Sequence, residues 1–357
     1  MKREIELMTG YLNSTRKNLI SILDRHDEIV SKLIDLPIHE STRLYFIGNG
    51  SSGEGARIAS FLSVSVLGIL PLCVTPYSFT HGLVDAVRPD DIVVAISQTG
   101  TSHEVVESIR LARAKNARTI SLTATSDSPV AKEAEFPFVF PECVEHVGYK
   151  VTGVIGLLYA FWIIILGLAF HNVRITKTEL HDNIEEIRDL TLRYDDLASK
   201  ATDWVEKNVE VFEKAKTISV LGTADLVETA MEFAIKSIEV QGRFSLAVET
   251  EEFLHGICAT DPKDNLVILL VDGKSEAFVR RVYPVIQERG HDVLWIGQGA
   301  PREGLALDIV DSKHYTTAQF FPVVHACIIA WARLKGYGDI GTIVFADYQK
   351  QLKVREE

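Results

Sequence analysis

Cysteine is scarce in this chain of 357 residues, and basic charge is outweighed by acidic. Cys73, Cys143, Cys258 and Cys327 stand far apart and form no CxxC. That speaks against zinc ribbons and disulfide frameworks and fits buried thiols in a reduced, cytoplasmic setting. A net charge of −12 argues against a nucleic-acid partner, because affinity for a phosphate backbone comes from surplus lysine and arginine. A small anionic substrate stays open, since local donors set such a site. The start, Met1-Lys2-Arg3-Glu4-Ile5-Glu6, has no apolar core and so lacks the form of a signal peptide. Histidines and acids show no metal-ligand spacing, and neither a metal nor a cofactor is expected.

What the chain does have is ordinary globular composition, 46% apolar and 24% charged, with length enough for two domains. One run, residues 151–170, carries no charge and is long enough to cross a bilayer. It stands alone in mid-chain, contains Gly153, Gly156 and Gly167, and falls where an α/β unit ends. The expectation is a buried helix packed against a partner subunit, with no membrane partner.

Two stretches align without a gap. Gly48 ends the apolar strand Leu44-Tyr45-Phe46-Ile47, and Gly222, 174 residues later, ends Ile218-Ser219-Val220-Leu221. At the same offset Phe79 meets Phe253, His81-Gly82 meets His255-Gly256, and Asp90 meets Asp264. A constant register over this distance argues for a duplicated unit. Strands are expected at 44–48, 72–75, 92–96, 118–122 and 136–140, and again at 217–221, 244–247, 266–271, 292–296 and 307–310. Helices lie between them, starting after a loop at 48–55 in the first copy. Such alternation predicts an α/β fold with parallel sheets covered on both faces. The expected divisions are an N-terminal helical segment 1–40, a first unit 41–170, a helical connection 171–205, a second unit 206–335 and a tail 336–357.

Copy one carries an anion site. Gly48-Asn49-Gly50-Ser51-Ser52-Gly53 follows a strand and opens a helix, so backbone N–H groups and two hydroxyls face one place. The spacing is formally GxGxxG. However, the second strand ends Cys73-Val74-Thr75 without the acid that would hold a ribose, and the loop has no GK[ST]. Ser97-Gln98-Thr99-Gly100-Thr101-Ser102 stands at the end of another strand. Ser102 reads as an N-cap, but a cap uses one hydroxyl, and a turn with four suits a phosphate monoester. In copy two these become Ala224-Asp225-Leu226 and Val271-Asp272-Gly273-Lys274-Ser275, where an aspartate repels phosphate.

Copy two carries acid–base chemistry instead. Glu232, Lys236 and Glu239 share one helix face, where copy one has Ile58, Leu62 and Ser65. A solvated face with an i,i+4 pair would look the same, except that its counterpart packs inside the unit. His255, 16 residues after Glu239, can protonate an oxygen near neutral pH. Its counterpart His81 is equally consistent with a structural turn.

Together these residues resemble the SIS (sugar isomerase) domain family in its double-domain form. The nearest patterns are the isomerase half of glucosamine-6-phosphate synthase and the fructosamine-6-phosphate deglycases. The likeness runs over about residues 35–335, carried by Gly50-Ser51-Ser52, by Ser97-Gln98-Thr99-Gly100 with Ser102, and by Glu232-x-x-x-Lys236-x-x-Glu239 followed by His255-Gly256. It implies two tandem SIS domains, each an α-β-α sandwich, and a phosphorylated sugar or sugar–amine as substrate. It makes Glu239 the base between C1 and C2, and His255 the ring-opening or leaving-group acid, given by the neighbouring subunit of a homodimer or larger homo-oligomer. Glu232 and Lys236 support the site, and Ser51, Ser52, Ser97, Gln98, Thr99 and Ser102 hold phosphate. Two features depart from the synthase. No glutaminase domain with its leading cysteine precedes Gly48, which makes glutamine-dependent synthesis unexpected. Tyr348, with Lys350 and Lys353 beside it, stands where the synthase tail has a catalytic lysine. Deglycation or deamination of a 6-phosphorylated amino sugar is therefore the first expectation, aldose–ketose isomerisation the second. A sugar-phosphate-binding regulatory module is the alternative from another class, and residues 1–40 show no helix-turn-helix with a basic face for it.

Overall fold

The structure is a computed structural model describing residues 2–338 together with 348, 349, 351, 352, 354 and 355. It forms two compact units. One comprises Ser14–His146, Lys150–Asp189 and Phe345–Glu357, and the other Met1–Asn13, Val147–Tyr149 and Leu190–Val344.

In the first unit, helix α1 (Lys2–Asp24), from Ser14 on, and α2 (His26–Ser31) precede the sheet. Then come β1 (Leu44–Ile47), α3 (Ser51–Leu67), β2 (Leu72–Val74), α4 (Pro76–Ser78), β3 (Ile92–Ile96), α5 (His103–Ala114), β4 (Arg118–Thr123), α6 (Pro129–Glu133) and β5 (Phe136–Val139). Helices α7 (Thr152–His171) and α8 (Lys177–Leu192) follow. The five strands are parallel in the order β2-β1-β3-β4-β5. Chain progression reverses at β1, so right-handed crossovers send α3 and α5 to opposite faces. There α3 packs with α7 and α5 with α6. β1 and β3 are buried along their whole length, as a doubly covered parallel sheet requires.

The second unit runs α9 (Tyr194–Lys214), β6 (Thr217–Gly222), α10 (Leu226–Gln241), β7 (Phe244–Glu249), α11 (Thr250–Phe253), β8 (Asn265–Val271), α12 (Glu276–Glu288), β9 (Asp292–Gly297), β10 (Leu305–Ala306) and α13 (Thr317–Lys335). Its parallel order, β7-β6-β8-β9-β10, repeats the first. The repeat extends to the ladders: Tyr45↔Leu72 corresponds to Ser219↔Leu246, Leu44↔Ile92 to Ile218↔Leu266, and Ile92↔Arg118 to Leu266↔Asp292, all displaced by 174. The correspondence ends before the fifth strand: the second unit has the two-residue β10 at Leu305–Ala306, and no strand forms at the expected 307–310.

Two further expectations need correction. The loop at 48–55 is largely helix: α3 starts at Ser51, because Gly50 takes φ +52° and turns the chain straight into the first helical turn. The uncharged run, α7, needs no partner subunit for its burial. It is covered within its own unit, and 94% of its most apolar window is buried. Its glycines allow this: a Cβ at Gly156 would lie 2.5 Å from Cys143 Sγ, and one at Gly167 would lie 2.6 Å from Leu33 Cδ1. The carboxylate of Glu145 closes its N-terminus, accepting from the N–H groups of Val151 (3.0 Å), Thr152 (3.2 Å) and Gly153 (2.8 Å). Burial pushes the Glu145 carboxyl up, and those N–H groups pull it back.

Each sheet is also latched where its first and third strands begin. Asp91, fully buried, accepts from Arg43 N and Nε (3.1 Å each) and from Arg88 N (2.8 Å). The counterpart Asn265 accepts from Thr217 Oγ1 (3.1 Å) and Ser219 Oγ (3.2 Å). Asp91→Ala is expected to cost the first unit about 2–4 kcal/mol, since several charge-assisted bonds go with a buried acceptor. Asp90→Ala next to it, exposed, is expected to change little. Urea unfolding of the two variants checks this, and equal midpoints would remove the latch.

Candidate active site: an anion cradle and a buried acid–base helix

In a doubly wound sheet the crevice opens at the carboxyl ends of the strands where chain direction reverses. In the first unit this lies between β1 and β3, paired through Ile47↔Ala95. Both expected phosphate elements stand there. Ser51 and Ser52 open α3, and Ser97-Gln98-Thr99-Gly100-Thr101-Ser102 joins β3 to α5. Gly100 makes this second turn possible: it sits at φ +69°, and a Cβ would overlap Ser128 Oγ and Thr123 Oγ1. Ser102 has the extended backbone of an N-cap (φ −67°, ψ 116°), yet its side chain makes no capping bond, so the capping alternative fails. Among the described residues the hydroxyls of Ser51, Ser52, Ser97 and Ser102 have no hydrogen-bond partner. Gln98 differs from them. Its Nε2 donates to the Cys143 carbonyl at 2.6 Å and so fastens the 141–146 stretch beside the cradle.

The same crevice in the second unit keeps the backbone and changes the chemistry. Ala224 holds φ +49°, almost the value of Gly50, in the less favourable setting of a residue with a Cβ. The side chains are Asp225, Asp272 and Lys274. Asp272 is buried and turned inward, accepting from Ser275 N (2.8 Å) and Oγ (2.6 Å). Lys274 donates to the Ser312 carbonyl at 2.7 Å. Burial, reinforced by Asp272 and opposed by Lys274, pushes the Asp225 carboxyl up to about 6. Burial, with Lys313 and Lys274 adding to it, pulls the His314 imidazole down to about 4. Two carboxylates thus stand in the crevice that the first unit lines with hydroxyls.

The ionisable residues expected for acid–base chemistry stand on α10. Glu232 and Lys236 are buried, at the positions where α3 buries Ile58 and Leu62. A solvated helix face is thereby excluded. Lys236 Nζ lies 2.9 Å from Glu239 Oε2 and 3.7 Å from Glu232 Oε1, and 5.0 Å from the centre of the Tyr149 ring. His325, fully buried on α13, places Nε2 3.0 Å from Glu232 Oε1. Buried charges persist only when paired, and here one ammonium serves two carboxylates with an imidazole closing the set. Glu239 keeps 14% of its side chain exposed and is the member that solvent reaches.

His255 is not drawn into this set. It is exposed on the turn after α11, and among the described residues its ring makes no hydrogen bond or ion pair. His81, its counterpart, is tied down: its Nδ1 lies 2.7 Å from Thr80 Oγ1 and 3.1 Å from the Tyr77 carbonyl, and its ring stacks on Tyr77 at 4.0 Å. The two histidines thus share a turn and not an environment. Tyr348 is exposed, while Lys350 and Lys353 lie outside the described residues. Three participants carry no signal in the sequence. His325 and Tyr149 fall past the break in the 174 register or in a loop without a motif. Arg355 lies far down the chain, and its Nη1 donates to Thr99 and Thr101.

Residues 37–160 match the SIS domain family. A glutamine–fructose-6-phosphate aminotransferase (isomerizing) of Sulfurisphaera tokodaii is 24% identical over 94% of this chain and 54% of its own length, so the chain spans about half of that relative. A fructoselysine 6-phosphate deglycase of Escherichia coli O157:H7 is 24% identical over 78% of each chain. The solved C-terminal domain of the glucosamine-fructose-6-phosphate aminotransferase of Francisella tularensis has the same fold, with a TM-score of 0.79 at 16% identity over 93% of this chain and 97% of its own.

Because Asp225 is raised from an unfolded value near 3.8, its contribution to stability is complete below about pH 4 and is lost as pH rises through about 6. Asp225→Asn is expected to abolish that loss and to exceed the parent by on the order of 2 kcal/mol at pH 8, with little difference at pH 4. Urea unfolding at the two pH values checks it, and an unchanged pH dependence would show that Asp225 is not desolvated.

Proposed function

We propose that this chain, with its SIS domain at 37–160 and a second sheet of the same strand order, processes a 6-phosphorylated sugar–amine, releasing the amine and a hexose 6-phosphate. The observation that carries the reading is the Glu232–Lys236–Glu239 set, with Glu232 and Lys236 buried where copy one buries Ile58 and Leu62, and Glu239 beside them at the solvent edge. Placing two ionisable groups on a core face costs stability, and a base that solvent reaches at its edge gives the set a purpose.

In the proposed reaction, the hydroxyls of Ser51, Ser52, Ser97, Thr99 and Ser102 hold the phosphate, and Gln98 keeps the turn in place. Glu239 takes the proton from C1 while the C2 carbonyl oxygen gains one, which forms an enaminol. Returning the proton to C2 leaves a C1–nitrogen double bond, and water then replaces the amine. His255 protonates the ring oxygen or the departing amine. The deglycase among the relatives supports this order of preference over plain isomerisation, which shares the C1–C2 transfer.

A homodimer belongs to the proposal. Exposed apolar residues recur in the two copies at the 174 offset: Val64 with Ile238, Leu70 with Phe244, and Leu72 with Leu246. These lie on edge strands β2 and β7 or just before them, and on the helices beside them. Such patches, close in sequence to the exposed His255, suit a second copy of the chain.

Glu239→Gln is expected to lower kcat by about 10²–10⁴, read as free amine and hexose 6-phosphate from a fructosamine 6-phosphate. Undiminished turnover would remove Glu239 from the base role, and tight binding without turnover of any phosphosugar would leave a binding module. If His255 serves a neighbouring subunit, mixing Glu239→Gln with His255→Ala chains should restore about a quarter of parental activity through mixed dimers. No recovery after confirmed subunit exchange would place His255 in its own chain's site or outside catalysis.

A further inference from the structure

The phosphate cradle as read from the sequence is neutral. Its donors are hydroxyls and the N–H groups at the starts of α3 and α5, and none carries charge. A sugar phosphate near neutral pH bears between one and two negative charges, and it must be held by a protein whose own net charge is −12. Neutral donors satisfy its oxygens without balancing that charge. The arginine on α3, Arg57, is engaged by the buried Glu54 carboxylate. A cation from elsewhere in the unit would complete the site.

The end of the chain supplies one. The N–H of His103, the first residue of α5, donates to the Val354 carbonyl at 3.1 Å. Ser102 and Arg355 form an antiparallel bridge. The backbone at 354–355 is therefore fixed beside the residue that ends the cradle turn. From there Arg355 reaches back along the turn, and Nη1 donates to Thr99 Oγ1 at 3.3 Å and to Thr101 Oγ1 at 3.4 Å. Those two hydroxyls are 3.0 Å from each other. Both contacts are long for a charged donor, and both acceptors are neutral. Among the described residues no carboxylate lies within ion-pair distance of Arg355. A guanidinium offers five N–H groups in a planar fork. Here its one recorded donor atom rests on hydroxyls that belong to a proposed anion site, and the side chain is exposed.

We propose that Arg355 is the cationic ligand of the substrate phosphate. Resting on the reading of the cradle given above, this makes residues 354–355 part of the substrate site. The fork turns from Thr99 and Thr101 to two phosphate oxygens, the strongest pairing it can make. The two threonines are then free to donate to the same anion. A phosphorylated sugar is thereby selected over its neutral counterpart by charge as well as by shape, and occupation of the cradle fastens the chain end that already touches α5.

The test is titration of the full-length protein with inorganic phosphate, comparing the parent chain with Arg355→Gln, Arg355→Lys and Ser97→Ala. Arg355→Gln is expected to weaken phosphate binding about tenfold or more and to flatten its dependence on salt. Arg355→Lys is expected to keep a larger share of the affinity. In turnover, the loss in Arg355→Gln should fall on KM, with kcat near the parental value. The exposed position predicts an unchanged Tm without phosphate for both variants, so misfolding is separable. Equal phosphate affinity in the parent and Arg355→Gln would overturn the proposal while leaving the cradle intact. Equal loss in the Gln and Lys variants would reduce Arg355 to a pin for the chain end and also overturn it. If the parent binds no phosphate, the cradle reading fails first and this inference falls with it. Weaker phosphate binding in Ser97→Ala than in the parent supports the cradle independently of Arg355.

Discussion

Parallel pairing of the first and third strands of each sheet is the constraint from which the rest follows. Because β1 pairs with β2 on one side and β3 on the other, and β6 likewise with β7 and β8, the helices leaving those strands diverge. Two helix N-termini and two strand ends then face one crevice in each unit. Nothing about the ligand is needed to create that crevice. The buried Asp91 and Asn265 latches hold the starts of the strand pairs, and positive-φ residues at 50 and 224 turn the chain into the helices.

On this repeated frame the two copies diverge by electrostatics. Among the described residues the first unit lines its crevice with the hydroxyls of Ser51, Ser52, Ser97 and Ser102, which make no bond to protein, and it packs the face of α3 with Ile58 and Leu62. The second fills its crevice with Asp225, Asp272 and Lys274, and puts Glu232 and Lys236 where the apolar side chains were. The exchange is local. Ladder register, the αL residues ending α3 and α10 (Gly68 at φ +71°, Gly242 at +64°) and the buried Phe79 and Phe253 are retained. A burial site that accepts Leu62 in one copy accepts Lys236 in the other because carboxylates on both sides and the face of Tyr149 compensate the ammonium.

Much of this was legible before any coordinates. Apolar strands ending in glycine and a constant offset identified the duplicated parallel sheet, because both depend on local pattern and spacing. The charged face of α10 stood out since its counterpart positions are apolar. What escaped is what depends on distant chain segments. His325 meets Glu232 across 93 residues, and Arg355 meets Thr99 across 256. No periodicity links such residues. At the start of α3, glycines and serines that read as a loop are accommodated in the opening turns. For α7, charge-free composition reveals that a helix is covered and leaves open by what.

The division between the copies makes a direct prediction about anion stoichiometry. Equilibrium titration with inorganic phosphate, coupled to a crystal structure of the phosphate-bound protein, would count and locate the sites. One phosphate per chain is expected, between the ends of β1 and β3 and within reach of Ser51, Ser97 and Ser102, with none between β6 and β8. Two phosphates per chain, or a single one bound beside Asp225 and Asp272, would contradict it.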